Sequence, residues 1–450
     1  MSRPDAPRPT LMLASRNVNK LRELRAALPG WDVELLEMPD EPAEDGATFL
    51  ENARIKARHG RACAAPADWV AGEDSGIEVD ALGGRPGVES ARWASDGVAR
   101  LLAELDGVAN RSARYVCELV VLAADGRELR GRGTMEGSVA AEPRGTEGFG
   151  YDPIVVPSGL DVTVAELGDA WKAMHSHRAH AAQALRAAVE LPREQRLFAL
   201  QPGDYLPAPK PPFERIEGNG VRYFVTPSWI TVGKPRLEPE GVGSAIEAAR
   251  SFARERQRTK IEWSVGPDAT PDDLAERLLE AGLVRADEPP FTRSAAALVL
   301  MSPPPSPPAG VVTRLVQTLD DYRSCDEVFS VGFEIRGADR AAWDATLEQR
   351  WASYQAEDHR LQFVACVDGE PIAAATALVA RMGVFLGGAA TLPEARGRGA
   401  FRALVHARWE EAVRRGTPFL AVEAGPQSRP VLERLGFQRV GEFEAFLDLL

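Results

Sequence analysis

The sequence lacks the features that mark membrane and secreted proteins. No apolar run approaches the length that a membrane-spanning helix needs, and residues 1–10, which are rich in proline and arginine, contain no apolar segment like that of a signal peptide. The few cysteines are scattered and form no Cys-x-x-Cys pair: Cys63, Cys117, Cys325 and Cys366. These absences predict a cytoplasmic protein with buried free thiols, no zinc site, no membrane partner and a disordered tail over residues 1–10.

Positive charge is also scarce. The formal net charge is -13, from 53 lysine and arginine residues against 66 aspartate and glutamate residues. This balance argues against a general nucleic-acid-binding protein, because the phosphate backbone requires a basic surface. Any site for a phosphorylated ligand must therefore be built from a few local basic groups. Lysine is much rarer than arginine, so a lysine within a motif is especially informative.

The length of 450 residues predicts more than one domain, because a single hydrophobic core rarely extends so far. Two proline-rich stretches, residues 193–212 and residues 302–309, are predicted linkers. They separate a first domain over residues 11–192, a middle segment over residues 213–301 and a last domain over residues 310–450. Strands mixed with helices along the chain predict α/β folds.

An acidic, glycine-rich stretch organises the first domain. It extends over residues 72–92, follows a predicted strand, and places Glu73, Asp74 and Ser75 between two glycines. Carboxylates beside glycines at the end of a strand suit a divalent metal and phosphate, since glycine lets the backbone approach an anion closely. Taken alone, the stretch fits an acidic surface turn equally well.

Four other segments accompany this stretch in a fixed order. They are Ser15-Arg16-Asn17-Val18-Asn19-Lys20, Glu44 to Lys56, Gly148-Phe149-Gly150-Tyr151-Asp152-Pro153, and Lys172 followed by Ser176-His177-Arg178. Together, the five ordered motifs resemble the inosine triphosphate pyrophosphatase family, whose members remove non-canonical purine nucleotides. The resemblance covers roughly residues 10–190 and implies a mixed α/β fold.

The resemblance implies a Mg2+-dependent hydrolase that converts ITP, dITP and XTP into the monophosphate and pyrophosphate, and a homodimer formed through the first domain. Asp74 takes the position of the general base that activates water, and Glu44 and Asp74 take the positions of metal ligands. Splitting a nucleoside triphosphate needs charge neutralisation, a positioned water and a base. The alternative for Glu44 is an ordinary loop acid.

The same resemblance implies which residues bind the purine nucleotide, and they come from several of these motifs. These residues are Ser15, Arg16, Asn17, Val18, Asn19, Lys20, Ser75, Phe149, Gly150, Tyr151, Asp152, Lys172, His177 and Arg178. Asn17 and Lys20 precede a predicted helix, whose N-terminal amides favour phosphate, although Asn17 also fits a simple N-cap. Phe149 can stack on a purine or be a core aromatic in a tight turn. Hydrogen-bond donors on His177 and Arg178 would select a 6-keto purine over adenine.

A few positions in these motifs depart from the family or allow another interpretation. Asn19 stands where the family usually has glycine, and asparagine tolerates left-handed backbone angles, so the turn is expected to persist. Glu73 stands where a second aspartate is common, which keeps the acid. A metal-binding tract at His175, His177 and His180 is a less favoured alternative.

The last domain contains a second recognisable loop. Arg396-Gly397-Arg398-Gly399-Ala400 follows an apolar strand and opens a helix, and residues 429–437 form a predicted helix that ends in Leu-Gly-Phe. These features resemble the acyl-CoA pyrophosphate loop and the closing helix of GNAT-type N-acetyltransferases, over roughly residues 311–450. The resemblance implies that the loop residues bind acetyl-CoA through exposed amides at the helix N-terminus.

Two residues depart from the GNAT pattern. Phe401 replaces a small residue of the loop, and Leu432 replaces a tyrosine that often acts as general acid. Leucine cannot protonate a thiolate, so either another group does so or catalysis is absent, and Glu423 is a candidate base. The middle segment resembles a degenerate copy of the same fold, and a faint repeat relates residues 261–282 to residues 420–436.

We therefore expect a multidomain α/β enzyme in which an ITP and XTP pyrophosphatase is fused to a GNAT-like acyltransferase of unknown acceptor. The alternative is a binding protein whose domains sense nucleotide or acyl-CoA without turnover. The full set of acids and lysines favours the enzyme for the first domain, whereas Leu432 keeps the binding protein open for the last.

Overall fold

A computed structural model describes residues 10–287 and 291–450, except for the side chains of Ala338, Asp339 and Ala342. The chain divides into two compact units, Met1–Leu191 and Pro192–Leu450, which we call the N-terminal unit and the C-terminal unit. No helix in the described ranges is long and apolar enough to span a membrane.

The segments predicted to lie outside the domains differ from one another. The tail predicted for residues 1–10 lies outside the described residues, except for Thr10, which begins a strand. Arg193–Leu200, inside the first predicted linker, is a helix that buries Phe198 and Leu200 in the C-terminal unit. Residues 302–309 contain neither helix nor strand.

The N-terminal unit is built on one six-stranded mixed sheet. Its strands are β1 (Thr10–Leu13), β2 (Asp32–Leu35), β3 (Trp69–Val79), β4 (Ser112–Leu122), β5 (Glu128–Val139) and β6 (Val155–Pro157). They lie in the order β2-β1-β3-β4-β5-β6, with β1 parallel to both neighbours and the other pairs antiparallel. The helices are α1 (Val18–Ala27), α2 (Phe49–Cys63), α3 (Gly97–Glu104), α4 (Val164–His175) and α5 (His177–Glu190).

Helices cover both faces of the central strands β3 and β4. On one face, α1 and α5 pack in one core with Leu11, Cys117 and Leu119. On the other face, α2 packs against Val120. Successive side chains of a strand point to opposite faces, so neighbouring residues of β3 contact different helices.

Two glycines let these helices approach the sheet closely. A Cβ atom at Gly72 of β3 would lie 2.0 Å from the carbonyl oxygen of Ala53 in α2. A Cβ atom at Gly133 of β5 would lie 2.2 Å from the carbonyl oxygen of His177 in α5. Any larger residue would push a helix away, so these glycines set the positions of α2 and α5.

The C-terminal unit contains a twelve-stranded sheet. Its strands are β7 (Glu214–Gly218), β8 (Val221–Val225), β9 (Ile230–Gly233), β10 (Lys260–Val265), β11 (Val284–Arg285), β12 (Ser294–Leu300), β13 (Val312–Leu315), β14 (Arg360–Val367), β15 (Glu370–Ala380), β16 (Gly383–Thr391), β17 (Leu420–Ala424) and β18 (Gln438–Leu449). The order is β13-β14-β15-β16-β17-β12-β18-β10-β9-β8-β7, and β11 pairs with β18. The helices are α6 (Arg193–Leu200), α7 (Val242–Glu255), α8 (Leu274–Glu280), α9 (Leu319–Gly332), α10 (Gly337–Ala345), α11 (Leu347–Gln355), α12 (Ala400–Arg414) and α13 (Arg429–Arg434).

One arrangement occurs twice in this sheet. A strand, a long helix and a parallel strand follow one another as β9, α7, β10 and again as β16, α12, β17, and a short helix comes next in each case. The internal repeat predicted from the sequence is therefore confirmed. The first half of the unit ends with β12 and the second half ends with β18. These two last strands are exchanged between the halves, because β12 pairs with β17 of the second half and β18 pairs with β10 of the first.

The two faces of the sheet are covered by different helices. On one face α12 packs against Val384 and Leu386, and on the other α9 and α11 pack against Val364 and Cys366. The parallel pair β16 and β17 is joined at two positions, the second of which is Phe385 opposite Ala421. Beyond that point the two strands are no longer paired, so the sheet opens there.

Candidate functional site

Glu73 and Asp74 are adjacent in β3 but belong to opposite faces of the sheet. Asp74 is turned toward α2, and Glu73 is turned toward α1 and α5. Both side chains are buried, Glu73 completely. The stretch is therefore not an exposed acidic turn, and each acid lies in its own buried cluster of charges.

The cluster on the α2 face joins Asp74, Asn52, Lys56 and Glu44. Asn52 and Lys56 are four residues apart, so they lie on one side of α2. Asn52 Nδ2 donates to Asp74 Oδ2 at 3.1 Å, and Lys56 Nζ donates to Asp74 Oδ1 at 2.8 Å. Lys56 Nζ also lies 2.9 Å from Glu44 Oε1. The two acids predicted as metal ligands thus converge on one point.

Burial and charge together set the ionisation of this cluster. Burial raises the pKa of Asp74 above its ordinary value of 3.8, although Lys56 acts in the opposite direction. Burial also works against the charge of Lys56, but Asp74 and Glu44 hold the pKa of this lysine above 10.5. A carboxylate with a raised pKa accepts a proton more readily than an ordinary aspartate, as activation of a water requires.

The same cluster has the donor chemistry of a magnesium site. Mg2+ is commonly held by one or two carboxylates, with waters and phosphate oxygens as the other ligands, and Glu44 and Asp74 supply such a pair. The side chain of Glu44 is 33% exposed, so solvent and substrate reach it. Among the residues that the structure describes, no group of three or more His, Cys, Asp and Glu side chains could hold a metal. The alternative of a histidine tract therefore has no support there.

The cluster on the opposite face surrounds Glu73. Arg178 donates from Nε and Nη2 to Glu73 Oε1 at 3.0 and 2.9 Å, and Lys20 Nζ lies 2.6 Å from Glu73 Oε2. Burial alone would raise the pKa of Glu73, but Arg178 and Lys20 hold it well below 4.5. Glu73 is therefore ionised at neutral pH and keeps these two cations in place.

Ion pairs extend this cluster to the loop that carries Phe149. Glu23 of α1 pairs with both Arg178 and Lys172. Lys172 Nζ donates to Asp152 Oδ2 at 2.7 Å and lies 4.7 Å from the centre of the Phe149 ring. Asp152 Oδ2 also accepts from the Phe149 amide at 2.8 Å. Lys172, predicted to bind the nucleotide, and Phe149, predicted to stack on its base, thus both contact the carboxylate of Asp152.

The residues predicted to select the base are more enclosed than expected. Arg178 is 1% exposed and donates to Glu23 and Ser75 as well as to Glu73. Its guanidinium is therefore fully engaged with protein groups. His177 stacks on Tyr115, with ring centres 4.6 Å apart, and burial holds its pKa well below 6.5. The imidazole is therefore neutral. Its Nδ1 is buried and has no hydrogen-bond partner within the described residues.

The Gly148–Pro153 loop contains one accessible ring and one structural ring. Phe149 is partly exposed. Gly150 next to it has a φ of 63°, in the left-handed region that glycine adopts without strain. Tyr151 is buried, and its hydroxyl donates to the carbonyl of Ser90 at 3.0 Å. Phe149 has the exposure that base stacking needs, whereas Tyr151 is part of the core.

Asn17 is the N-cap of α1. Its Oδ1 accepts hydrogen bonds from the amides of Asn19 and Lys20, at 2.9 and 3.3 Å. The N-cap interpretation is therefore confirmed for Asn17, and phosphate binding by this segment stays a prediction. Asn19 lies in the first turn of α1 and has no positive φ, so the expectation of a left-handed turn at this residue was wrong.

The other residues of the same segment have separate contacts. Ser15 Oγ accepts from a backbone amide of the segment at 3.1 Å, and Arg16 donates to a carbonyl of the loop after β2 at 3.1 Å. Val18 is exposed. Lys20 is the member of the segment whose side chain joins the Glu73 cluster.

Four residues of these clusters were given no role from the sequence. They are Glu23, Asn52, Lys56 and Tyr115. The spacing of four between Asn52 and Lys56 and the rarity of lysine were available signals. Tyr115 begins the short apolar stretch Tyr115-Val116-Cys117 of β4, so nothing in the sequence distinguishes it from a core residue.

The loop from Arg396 to Ala400 connects β16 to α12 in the C-terminal unit. Gly397 and Gly399 have φ angles of 77° and 79°, and neither amide donates a hydrogen bond within the described residues. Arg396 and Arg398 are exposed, whereas Ala400 begins α12 and is buried. The loop thus offers free amides and positive charge to an anionic ligand.

The two departures from the GNAT pattern have different consequences. Phe401 is partly buried and packs against the core under α12. Leu432 is buried in the same core and offers no proton. A Cβ atom at Gly399 would lie 2.7 Å from Cγ of Pro308, so the second proline-rich stretch passes close to the loop.

Comparisons with known proteins match each unit separately. Residues 11–188 match the model of the Ham1 family, and residues 317–437 match that of the acetyltransferase (GNAT) family. A protein of Exiguobacterium sp. named dITP/XTP pyrophosphatase is 45% identical over 190 residues, which are 40% of this chain and 96% of that protein. A protein of the same name from Gloeobacter violaceus is 46% identical over 181 residues, or 39% of this chain and 91% of that protein.

Solved structures resemble the chain in the same two regions. The Ham1 protein of Staphylococcus aureus is 35% identical, with a TM-score of 0.37, and the match covers 40% of this chain and 98% of that one. A GCN5-related N-acetyltransferase from Kribbella flavida is 16% identical, with a TM-score of 0.43, over 57% of this chain and 96% of that one. Residues 317–437 of the C-terminal unit are similar to the acetyltransferase (GNAT) family. Since the curated relatives are covered almost from end to end, the chain belongs to the Ham1 family through its N-terminal unit.

Proposed function

We propose that the N-terminal unit hydrolyses ITP, dITP and XTP to the monophosphate and pyrophosphate. The observation that carries this proposal is the convergence of Glu44, Lys56 and Asp74 on one point, with the pKa of Asp74 raised by burial. A proton acceptor beside a buried lysine suits the attack of water on a phosphate. The relatives named dITP/XTP pyrophosphatases support this choice of substrates.

Each residue of the α2-face cluster has a part in this reaction. Glu44 and Asp74 would hold Mg2+, which when bound neutralises charge on the phosphate oxygens. Asp74 accepts the proton of the attacking water through its raised pKa. Asn52 and Lys56 hold the carboxylate in one orientation.

Base selection falls to His177 and Phe149. Phe149 is partly exposed and stacks on the purine. The unpaired Nδ1 of His177 forms a hydrogen bond with the base edge. Arg178 acts through Glu23 and Glu73 and is a positioning residue.

Pyrophosphate release across a panel of nucleotides tests the proposal. The purified full chain with Mg2+ is expected to show a kcat/KM for ITP, dITP and XTP that exceeds the value for ATP by orders of magnitude, since a site built to bind the keto edge leaves adenine unpaired. Equal values for ITP and ATP would contradict the base selection. No pyrophosphate from any nucleotide would contradict the hydrolase itself.

We also propose that the C-terminal unit binds acetyl-CoA at the Arg396–Ala400 loop and acts as an N-acyltransferase. The free amides of Gly397 and Gly399 at the start of α12 favour this function. The sheet also opens between β16 and β17, the strands on either side of α12. Leu432 offers no proton to a leaving thiolate, so the unit could bind acetyl-CoA without catalysing transfer. The alternative function is therefore acyl-CoA sensing.

Calorimetry on the full chain with acetyl-CoA tests this second proposal. Gly397→Val is expected to weaken binding, because its side chain would obstruct the loop amides. Gly416→Val is the matched control, since Gly416 also has a φ of 77° and open space around it but lies beyond the other end of α12. No heat of binding to the wild-type protein, or equal effects of the two variants, would contradict the loop assignment.

A further inference from the structure

Tyr115 is a residue of β4 that contacts two separate parts of the predicted purine-binding site. Its Cα atom is opposite Ile77 of β3 and Met135 of β5, so it lies in the middle of the sheet. Its side chain points to the face that carries α5, as does that of Cys117 two residues later, which contacts Glu73. The fold thus brings a tyrosine to the predicted base pocket where the sequence indicated an ordinary core residue.

The hydroxyl of Tyr115 binds the carboxylate that organises the Gly148–Pro153 loop. It donates to Asp152 Oδ1 at 3.2 Å, while Asp152 Oδ2 accepts from Lys172 Nζ and from the Phe149 amide. Both oxygens of this buried carboxylate are therefore engaged. A carboxylate held at both oxygens has little freedom to rotate, so the position of the Phe149 ring depends on Tyr115.

The ring of Tyr115 stacks on the imidazole of His177. The ring centres are 4.6 Å apart and the planes differ by 14°, and both side chains are buried. Burial holds the pKa of His177 well below 6.5, so the imidazole in this stack is neutral. A neutral imidazole offers one hydrogen-bond donor and one acceptor, and the stack fixes the plane in which they point.

A purely structural role is the alternative for Tyr115. The residue belongs to a core that also contains Ile77, Met135 and Ile154, and a buried hydroxyl needs a partner in any protein. Burial and the neighbouring Asp152 hold the pKa of Tyr115 well above 10, so its hydroxyl remains a donor. A core position does not require one side chain to contact two different purine-binding segments, as this one does.

We propose that Tyr115 is a positioning residue that sets the geometry of the purine-binding site through two separate contacts. Its hydroxyl acts through Asp152 on the stacking ring of Phe149, and its ring acts through His177 on the contact with the base edge. The inference rests on the nucleotide pyrophosphatase function proposed above, to which it adds a determinant of specificity. The two contacts can be separated, because phenylalanine keeps the ring without the hydroxyl and leucine lacks both.

Calorimetry on the full chain with Mg2+ tests the hydroxyl contact. The probes are inosine monophosphate, which contains the base, and pyrophosphate, which does not. Tyr115→Phe is expected to weaken binding of inosine monophosphate about tenfold, because a hydrogen bond to a charged group is lost, and to leave pyrophosphate binding unchanged. Unchanged binding of inosine monophosphate would overturn the proposal. Equal weakening of both ligands would also overturn it, since a general loosening of the fold has that effect.

Steady-state kinetics test the ring contact. Stacking accepts any purine, so Tyr115→Phe is expected to raise KM for ITP and for ATP by similar factors and to keep the ratio of their kcat/KM values. Tyr115→Leu is expected to lower that ratio about tenfold or more, because His177 is no longer held against the base edge. A Tyr115→Leu protein that is folded by circular dichroism and keeps the wild-type ratio would overturn the proposal.

Met135→Leu is the matched control for both experiments. Met135 is a buried neighbour of Tyr115 on β5 and belongs to the same core. The change keeps the side-chain volume nearly constant, so binding of inosine monophosphate and the ratio of ITP to ATP are expected to stay at wild-type values. Effects of Met135→Leu as large as those of the Tyr115 variants would overturn the proposal, because any disturbance of this core would then suffice.

The wild-type protein separates this inference from the proposed function. Hydrolysis of ITP by the wild type, together with Tyr115 variants that behave like it, would overturn the inference alone. Absence of hydrolysis by the wild type would contradict the pyrophosphatase, whereas binding of inosine monophosphate that depends on Tyr115 would still support a purine site at Phe149 and His177. A wild-type protein that does not bind inosine monophosphate would overturn the inference.

Discussion

The fold shifts the pKa values of two neighbouring acids in β3 in opposite directions. Asp74 is buried beside one lysine, and its pKa is raised. Glu73 is buried between Arg178 and Lys20, and its pKa is lowered. The strand places them on opposite faces, so one acid is suited to accept a proton and the other remains ionised. Amide substitutions of the two should therefore have different effects.

Asp74→Asn is expected to reduce kcat for ITP by about 10²–10⁴-fold, because the amide cannot accept the proton of the attacking water. The folded-state pKa of Asp74 lies above 3.8, so folding disfavours its ionised form and the neutral amide should not lower the melting temperature. Steady-state pyrophosphate release and calorimetric unfolding measure the two effects. Asp45→Asn, an exposed loop acid beside Glu44, is the control and should keep the wild-type rate. A near wild-type rate for Asp74→Asn would refute its role.

Glu73→Gln is expected to destabilise the N-terminal unit by about 3–5 kcal/mol at neutral pH, because it leaves Arg178 and Lys20 buried without their shared counter-charge. The folded-state pKa of Glu73 is below the ordinary 4.5, so its contribution is fully present above pH 4.5 and is lost as the pH falls through the folded-state value. The free-energy difference between wild type and variant, from urea unfolding at several pH values, should be constant near neutrality and shrink in acid. A difference that grows on acidification would contradict this assignment.

In the N-terminal unit, the sequence motifs predicted which residues lie together better than they predicted the role of each residue. Asp74, Glu44 and Lys20 lie in charge clusters, as their types suggested. The sequence did not show that Arg178 would be enclosed by acids, because its partners lie far away in the chain: Glu73 is 105 residues distant and Glu23 is 155. Sequence spacing reveals a pair such as Asn52 and Lys56 on one helix, but not a pair joined by the fold.

At the scale of elements, the site depends on how closely α2 and α5 approach the sheet. The helices themselves follow from apolar periodicity and caps, such as the Thr48 and Glu51 capping box that starts α2. Their distance from the strands is set by glycines, whose role appears only when the packing is known. The helix Arg193–Leu200 was not expected within a proline-rich stretch. Its apolar face packs against Phe419, more than 200 residues further along the chain, and a contact of that kind leaves no local signal in the sequence.

Gly133→Ala is expected to destabilise the N-terminal unit by about 1–3 kcal/mol, since the new Cβ atom would meet the carbonyl oxygen of His177 at 2.2 Å and push α5 outward. Because α5 carries His177, KM for ITP should rise as well. Gly218→Ala, a strand glycine with open space around it, is the matched control and should change neither quantity. Thermal unfolding and steady-state kinetics measure both, and a Gly133→Ala protein as stable as the control would show that α5 does not need this close contact.

At the scale of the whole molecule, the exchanged strands make the C-terminal unit a single structure. The sequence showed the repeat and the proline-rich boundary, which together predict two domains in series. The pairing shows one sheet instead, in which Lys260 lies opposite Leu449. Contacts between residues so far apart leave no local pattern, so the exchange could not be derived from the sequence.

The two halves of this sheet are therefore expected to unfold together. Under increasing urea, the amides of β10 and β17 should lose protection from hydrogen exchange in one transition. Phe446→Ala removes a buried ring of β18 and should destabilise both halves by about 3–5 kcal/mol, whereas Phe224→Ala, at a partly exposed position of β8, should have a smaller effect. Separate transitions for β7–β10 and β13–β17 would contradict the expectation.

The position of β18 also bears on how the protein is made. Gln438–Leu449 follows every other strand of its sheet in the chain, yet it lies between β12 and β10 in the middle of that sheet. Until this segment has left the ribosome, β12 and β10 each present an unpaired edge, the kind of surface that recruits other chains. The N-terminal unit can complete its own sheet much earlier during synthesis. A message truncated before residue 438 would thus yield a finished Ham1 unit attached to an unfinished sheet, and chaperone binding and aggregation would follow from that sheet.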